Sequence, residues 1–541
     1  MRADRLVHAL FALLPAVAAL TTRDTTAPGR SAEVIILGGG IAGISVARTL
    51  AQEYNLTDII LIEGRDELGG RAHTVQLIGP DGVNRTVEKG CNWIQGPGKE
   101  AIQELADKWG LESTPTNYTD IVFFEGKWGV EGNASEPRGS FLTDDQVLEF
   151  TEGYDNFIDN APGYSDWRTN NSLVDISVRV ATSIMDWIPV NPMQMLYEYW
   201  NVDFTFAQPP EDSSFANAFG QEAGIADSAD RFVTDERGYK YVFVQEAKEV
   251  FGRDLSDPRL QLGTTVQTID YTDDTQVRVE TDKGEFFASR FVVSTFSVGV
   301  LQHQDVHWEP RLPDWKKEAI FSFNMATYQK IFMLFPTQFW GDTEFILYGD
   351  PEQRGRYAVW QNINAPGYIP QNTSTNVIMV TAVDDMARSN EKRTDAEIQA
   401  EAMQVLREMY GDDIPQPDDI IVPRWNSDPL YRGSYSNWPL GVLDQHHENL
   451  RQPVGNGRVL FTGEAMSPEA FGYVQGAWLE GQSTGRGIGE CIVNGDCPEV
   501  EIYEALTTCA QVSSAEAFKR KRSMSRVPRR SHSPGAARRR R

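Results

Sequence analysis

The sequence predicts an α/β protein built on a Rossmann-like nucleotide-binding unit, and three observations predict it. Val34-Ile35-Ile36-Leu37 is a short β-branched run of the kind buried inside a sheet. Gly38-Gly39-Gly40-Ile41-Ala42-Gly43 follows and leads into a helical pattern from Ile44 to Tyr54. A second apolar run, Ile59-Ile60-Leu61-Ile62, ends in Glu63, about twenty residues past Gly43. Strand, glycine turn, helix, strand and acid make one βαβ unit for a dinucleotide.

Each part has a physical reason. Gly38 permits the tight turn, Gly40 lets backbone approach a pyrophosphate, and Gly43 lets helix and strand pack closely. The helix N-terminus offers free N–H groups and a positive dipole end to phosphate. Glu63 stands where an acid accepts a ribose hydroxyl.

Further along, residues 98–110 read as an amphipathic helix and 117–140 as a surface excursion rich in Gly, Asn and Pro. The stretch 141–236 reads as largely helical. Strands return at Thr264–Tyr271 and Gln276–Thr281, followed by a turn at Asp282-Lys283-Gly284, and at Phe291–Ser294. Alternating apolar residues at Lys330–Phe335 and Asn376–Val383 predict antiparallel strands, followed by a helix at Asp395–Tyr410. A strand at Arg458–Phe461 and a helix from about Gly476 close the folded part.

Charge and composition exclude several classes. Of the 541 residues, 40% are hydrophobic and 23% charged, ordinary for a globular protein with a sizeable core. Thirteen Trp, 18 Tyr and 26 Phe are enough to wall a site for a flat cofactor. The net charge of −27 is uneven: residues 519–541 hold eleven Lys or Arg and no acid, so the rest is more acidic still. A strongly acidic body attracts cationic solutes and argues against nucleic acid as partner of the folded part. The basic tail, 513–541, reads as disordered.

The N-terminus reads as a secretory signal over residues 1–20, with Arg2 and Arg5 ahead of an apolar run from Ala9 to Leu20. That run falls short of a membrane span, with a membrane-anchoring first helix as the alternative reading, and no other candidate span is present in the sequence. Sequons at Asn55, Asn84, Asn117, Asn133, Asn170 and Asn372 agree with a secreted, extracellular glycoprotein. Cys491, Cys497 and Cys509 can supply one disulfide, in a pairing the sequence leaves open, and Cys91 reads as a buried thiol. No Cys or His spacing resembles a metal site.

Several segments carry a resemblance. Glu63-Gly64-Arg65-Asp66-Glu67-Leu68-Gly69-Gly70-Arg71 resembles the motif that follows the ribose-binding acid in flavin amine oxidases. Val87-Glu88-Lys89-Gly90-Cys91-Asn92-Trp93-Ile94 and Asp235-Glu236-Arg237-Gly238-Tyr239 extend it. So do Arg424–Asp428, Arg432–Trp438, Phe461–Glu464 and Gly472–Ala477. Over about residues 32–490 the chain resembles the plant and fungal polyamine oxidases of the flavin monoamine oxidase family.

The resemblance implies FAD, and a two-domain amine-oxidase fold: a Rossmann-like FAD-binding domain with an interleaved α+β substrate domain. The FAD parts fall at 31–115, 237–300 and 424–500, and the substrate parts at 116–236 and 301–423. It further implies that Glu63, Arg71, Val266, Glu464 and Val474 contact the cofactor, with the backbone of Val266 meeting the adenine. The loop Met466–Phe471 lacks the cysteine that tethers flavin in mitochondrial monoamine oxidases, so non-covalent FAD is expected.

The same resemblance makes Lys330, in Tyr328-Gln329-Lys330-Ile331-Phe332, the catalytic candidate: in the family a lysine here holds a water against flavin N5. The implied reaction is loss of hydride from the α-carbon of a neutral amine to flavin. An imine results and is hydrolysed to aldehyde and amine, and O2 is reduced to H2O2. Trp93, Trp425, Tyr435 and Tyr473 are candidate walls around the amine. One departure stands out. Gln95, Thr205 and Gln208 stand where relatives in plants place acids for distal ammonium groups, with Asp203, Glu198 and Glu211 as possible substitutes. An L-amino-acid oxidase, with Arg432 as carboxylate partner, and a nuclear demethylase using the basic tail are the competing readings. The oligomeric state is not legible.

Overall fold

The protein's structure, a computed structural model, describes residues 29–127, 137–220, 230–368 and 376–497, with Val500, Ile502 and Tyr503. The signal segment, the sequons at Asn133 and Asn372, Cys509 and the basic tail lie outside the described residues.

Strand β1 (Arg30–Leu37), helix α1 (Ile41–Glu53) and strand β2 (Ile59–Ile62) follow in order, and the two strands pair in parallel. Helix α1 starts at Ile41, earlier than the apolar spacing indicates, because residues of the glycine loop already form its first turn. Successive side chains alternate between faces. Val34, Ile36, Ile59 and Leu61 join one core cluster with Ile44 and Phe243. Ile35, Leu37, Ile60 and Ile62 join another with Val279, Phe287 and Val459. Burial on both faces explains why these strands read as unbroken apolar runs.

The sheet runs Leu260–Gln261, β2, β1, Phe286–Ser294, all parallel. Phe286–Ser294 then forks. Its first half pairs antiparallel with Val277–Thr281, and its last residues pair in parallel with Val459–Phe461. Val266–Asp270 and His307–Glu309 complete it. The substrate part expected from 301 therefore begins later. His307–Glu309 belongs to the first sheet, and Ala319 and Ile320 of the helix Asp314–Ser322 pack into its core.

A second sheet holds seven strands, in the order Asp419–Ile421, Tyr328–Leu334, Val377–Val383, Val359–Asn362, Phe345–Gly349, Ile121–Gly126, Gly139–Phe141. The surface excursion expected at 117–140 is corrected here. Ile121–Gly126 is a sheet strand with Phe123 and Phe124 buried, and residues 128–136 of that stretch lie outside the described residues. Helices between Asp144 and Phe219 pack on this sheet through Phe150, Met193 and Leu196, which meet Phe345, Leu347 and Val359. The long helix Val474–Val493 packs on α1, and Cys491 is bonded to Cys497 just past its end. No described helix is long and apolar enough to cross a membrane.

Candidate active site

A cavity of about 910 Å³ runs from the glycine turn of the first sheet to the strand Tyr328–Leu334 of the second. That is the upper end of the roughly 300–1,000 Å³ usual for ligand pockets. Its walls include Lys330, every cofactor candidate except Gly43, and Gln95 with the four aromatic candidates.

The three glycines differ in the space around them. Gly38 has φ +111°, and a Cβ there would lie 2.2 Å from Thr295 Oγ1. A Cβ on Gly43 would lie 2.0 Å from the Gly38 carbonyl oxygen, so Gly43 sets the closeness of helix and turn while facing away from the cavity. Gly40 is the open one: a Cβ there would find its nearest neighbour, Gly70 Cα, at 3.9 Å. The space over Gly40 is what a pyrophosphate approaching the α1 N-terminus needs.

Glu63 ends β2. Its Oε2 accepts from Gly39 N–H at 2.6 Å and its Oε1 from Arg65 N–H at 2.7 Å. Burial raises its pKa, and the two N–H donors oppose that rise. Each oxygen keeps a lone pair for a hydroxyl of a bound ribose. Val266 lines the same end, beside Thr264 and Thr265.

The Gly69-Gly70 turn, with both residues at positive φ, lays its backbone on the first glycine turn: Gly69 N–H donates to Gly39 O at 2.9 Å. It delivers Arg71 to the cavity wall. Arg71 donates to Ser434 O at 3.0 Å and to Glu464 Oε1 at 2.8 Å. Glu464 also accepts from Ser436 N–H and hydroxyl and from Gly472 N–H, so one buried carboxylate joins three segments around the cavity. Tyr473 and Val474 bring the N-terminus of the last helix to the wall, and its first N–H groups have no intrahelical acceptor.

At the other end Lys330 is buried, 4% exposed. It shares a strand face with Phe332 and Leu334, which pack on Val87 and Phe232. Strand alternation therefore turns the lysine inward. Its Nζ donates to Gly90 O and Asn92 Oδ1 and sits 5.0 Å from the centre of the Trp93 ring. Burial pulls its pKa down to about 7. Trp93 is fixed by its indole N–H to Thr116 Oγ1 at 3.0 Å, and Tyr435 by its hydroxyl to Thr205 O at 3.1 Å. Trp425 stands edge-on to Tyr431 at 4.9 Å. Burial raises the Tyr473 hydroxyl to about 12.

The three proposed substitute acids do not reach the cavity. Glu198, Asp203 and Glu211 are engaged by Arg179 and Arg354, with Glu198 held by Arg179 at 2.6 Å and 2.7 Å. Gln95 does line the wall, and its carbonyl accepts from Gln475 Nε2 at 2.8 Å. The acid that sequence reasoning missed is Asp230. It lines the cavity 3% exposed, pairs with Lys99 at 2.9 Å, and bears electrostatically on Tyr118 and Tyr473. It lies just ahead of the quoted Asp235–Tyr239 segment, with nothing local to mark it. Arg432 does not line this cavity; its guanidinium is held by both oxygens of Asp305. No metal-holding group of three or more His, Cys, Asp or Glu occurs among the described residues.

The donors fit FAD: an open turn for the pyrophosphate, a ribose acid, and an Asn92 Nδ2 buried at the wall without a protein acceptor. The family model for flavin containing amine oxidoreductase matches residues 41–488. Polyamine oxidase 1 of Zea mays is 35% identical over 463 residues, 83% of this chain and 88% of that protein. Polyamine oxidase 7 of Oryza sativa subsp. japonica is 35% identical over 459 residues, 83% of this chain and 93% of that protein. A putrescine oxidase solved with putrescine superposes with a TM-score of 0.65 at 18% identity, covering 85% of this chain and 99% of its own, and shares the fold. Cavity, donors and matches agree: the chain belongs to the family of flavin-containing amine oxidoreductases and is an FAD-dependent amine oxidase.

Proposed function

We propose that the amine is a polyamine, oxidised at a C–N bond whose α-carbon faces the Lys330 end of the cavity. The observation that carries this reading is the buried carboxylate of Asp230 beside Tyr118 and Tyr473. A second ammonium of the substrate shares that carboxylate with Lys99, which holds it at 2.9 Å, while the reacting nitrogen lies among aromatic faces. The names of the maize and rice relatives support the same class.

When bound, FAD accepts the hydride and passes the electron pair to O2. In balance, one secondary amine, one dioxygen and one water give one aldehyde, one primary amine and one hydrogen peroxide. The chain's own part is to exclude water, orient the amine and set its protonation. Trp93, Phe204, Tyr328 and Tyr435 line the walls around the reacting end. Lys330, pulled down to about 7 by burial, is divided between ammonium and amine at neutral pH and so can hold a proton or a hydrogen-bonded water beside the amine.

An amino-acid oxidase needs a free guanidinium for the substrate carboxylate. Arg71, the arginine on this wall, is taken by Glu464, and Arg432 is held by Asp305. A peroxide-release screen over spermine, spermidine, their acetyl forms, putrescine, leucine and phenylalanine tests the reading. Peroxide from a polyamine and none from the amino acids is expected, and the reverse overturns it. Asp230→Asn should raise KM for the polyamine about tenfold, roughly 1.4 kcal/mol, with kcat little changed.

We further read the protein as secreted, glycosylated and holding FAD without a covalent bond. Asn55, Asn84, Asn117 and Asn170 are all exposed, as glycan acceptors must be. The segment Met466–Phe471 offers no cysteine. Protein recovered from the medium, lacking its first ~20 residues, shifting in mass with endoglycosidase and releasing free FAD on acid precipitation, is the expected result.

A further inference from the structure

Glu198 and Asp203, the acids that do not reach the cavity, belong to an ionic assembly buried behind its wall. The single turn Asp203–Phe206 puts Phe204, Thr205 and Phe206 on the cavity. Asp203, its first residue, is buried and does not line it. Arg354, on the loop after the strand Phe345–Gly349, places two nitrogens on the two Asp203 oxygens, with Nη2 to Oδ2 at 2.7 Å. The same Nη2 donates to Glu198 Oε2 at 3.1 Å. Glu198, fully buried in the helix Pro192–Asn201, accepts in turn from both terminal nitrogens of Arg179. Neither arginine lines the cavity.

The turn is tied from the cavity side as well. The Tyr435 hydroxyl donates to Thr205 O at 3.1 Å and Asn437 Nδ2 donates to Phe206 O at 2.7 Å. Between these ties stands Phe204, stacked on Trp200 with ring centres 4.9 Å apart and tilted against Tyr328 at 5.7 Å. Tyr328 lines the cavity two residues from Lys330 on the same strand. A turn of four residues holds little shape of its own, so its ties decide where the Phe204 ring sits.

We infer that Arg354 is a positioning residue for amine oxidation: by gripping Asp203 from behind, it sets Phe204 against Tyr328 and so fixes the wall that orients the reacting carbon. A buried ion pair returns little net stability, because desolvation offsets its attraction. What it supplies is geometry. A planar guanidinium meets both oxygens of a carboxylate in one orientation, which a point charge or an apolar contact does not impose.

The effect falls on orientation rather than on capture. Phe204 and Tyr328 stand at the lysine end of the cavity, and the ring shift expected on loss of the grip displaces the reacting carbon. A displacement of about 1 Å at a reacting centre costs up to about 100-fold in rate. The loss therefore appears in the limiting rate of flavin reduction, whereas a change at Asp230 appears in KM.

The test uses the FAD-loaded enzyme and the amine that reduces wild-type flavin fastest among spermine, spermidine, putrescine and benzylamine, so its outcome is independent of the polyamine reading. Arg354→Lys keeps the charge and loses the fork. In stopped-flow mixing without O2 its limiting rate of flavin reduction should fall about tenfold, with FAD content and the pH midpoint as in wild type. Hydrogen exchange of the FAD-loaded protein should quicken at Thr205–Ala207 and not in the strand Ile121–Gly126. A merely structural role would lower the melting temperature and leave the limiting rate of the folded, FAD-loaded fraction at the wild-type value. That result overturns the proposal, as does faster exchange at the turn with an unchanged rate. If Arg354→Lys fails to fold, Asp203→Asn, which keeps the shape and loses the carboxylate, is read by the same outcomes.

Discussion

Lys330 is the residue on which the proposed chemistry turns. Alternation along its strand, shared with Phe332 and Leu334, takes a side chain that is usually exposed and buries it against Trp93. Lys330→Met should leave FAD content unchanged and slow flavin reduction by amine about 100-fold or more, as stopped-flow absorbance would record. The reacting amine must be neutral, so reduction should also quicken as pH rises through the substrate's ionisation. Lys330 was legible in the sequence because the residues around it match a family pattern. Asp230 was not. A lone acid at the start of a strand looks like any other, and only the fold sets it beside Tyr118 and Tyr473. Glu198, Asp203 and Glu211 show the converse: acids in a promising segment that the fold spends on Arg179 and Arg354.

At the scale of elements, the last helix is held on α1 by a ridge of glycines. A Cβ on Gly481 would lie 2.5 Å from Ala42 O, one on Gly485 2.8 Å from Thr49 Cβ, and one on Gly489 2.4 Å from Tyr54 Cδ2. Small residues four apart let the two backbones close on each other, and α1 carries the glycine turn that the cofactor needs. Gly485→Leu overpacks this contact. It should cost about 1–3 kcal/mol in denaturant unfolding and weaken FAD retention, while an exposed change such as Leu479→Ala should do neither. The βαβ unit was legible because its strands, turn and acid are contiguous. Phe345–Gly349, Val359–Asn362 and Ile121–Gly126 were not read as strands from the sequence. The first two are buried along their whole length and show no alternation, and the third sits among Gly and sequon residues that read locally as loop.

In the whole molecule, one cavity joins two sheets, with the nucleotide end built on the first and the lysine end on the second. Their interleaving along the chain was legible only through resemblance, since periodicity does not say which strands pair. The chain carries a net charge of −27, and the proposed substrate is a cation. For a polyamine, kcat/KM should therefore fall as ionic strength rises, and kcat should change little. The central claim is that this cavity oxidises a polyamine with bound FAD. Anaerobic mixing of the FAD-loaded enzyme with spermine, spermidine or an amino acid tests it most directly. Bleaching of the flavin by a polyamine, restored by O2 with release of H2O2, is the predicted result. A flavin bleached by leucine or phenylalanine and untouched by every polyamine would contradict it.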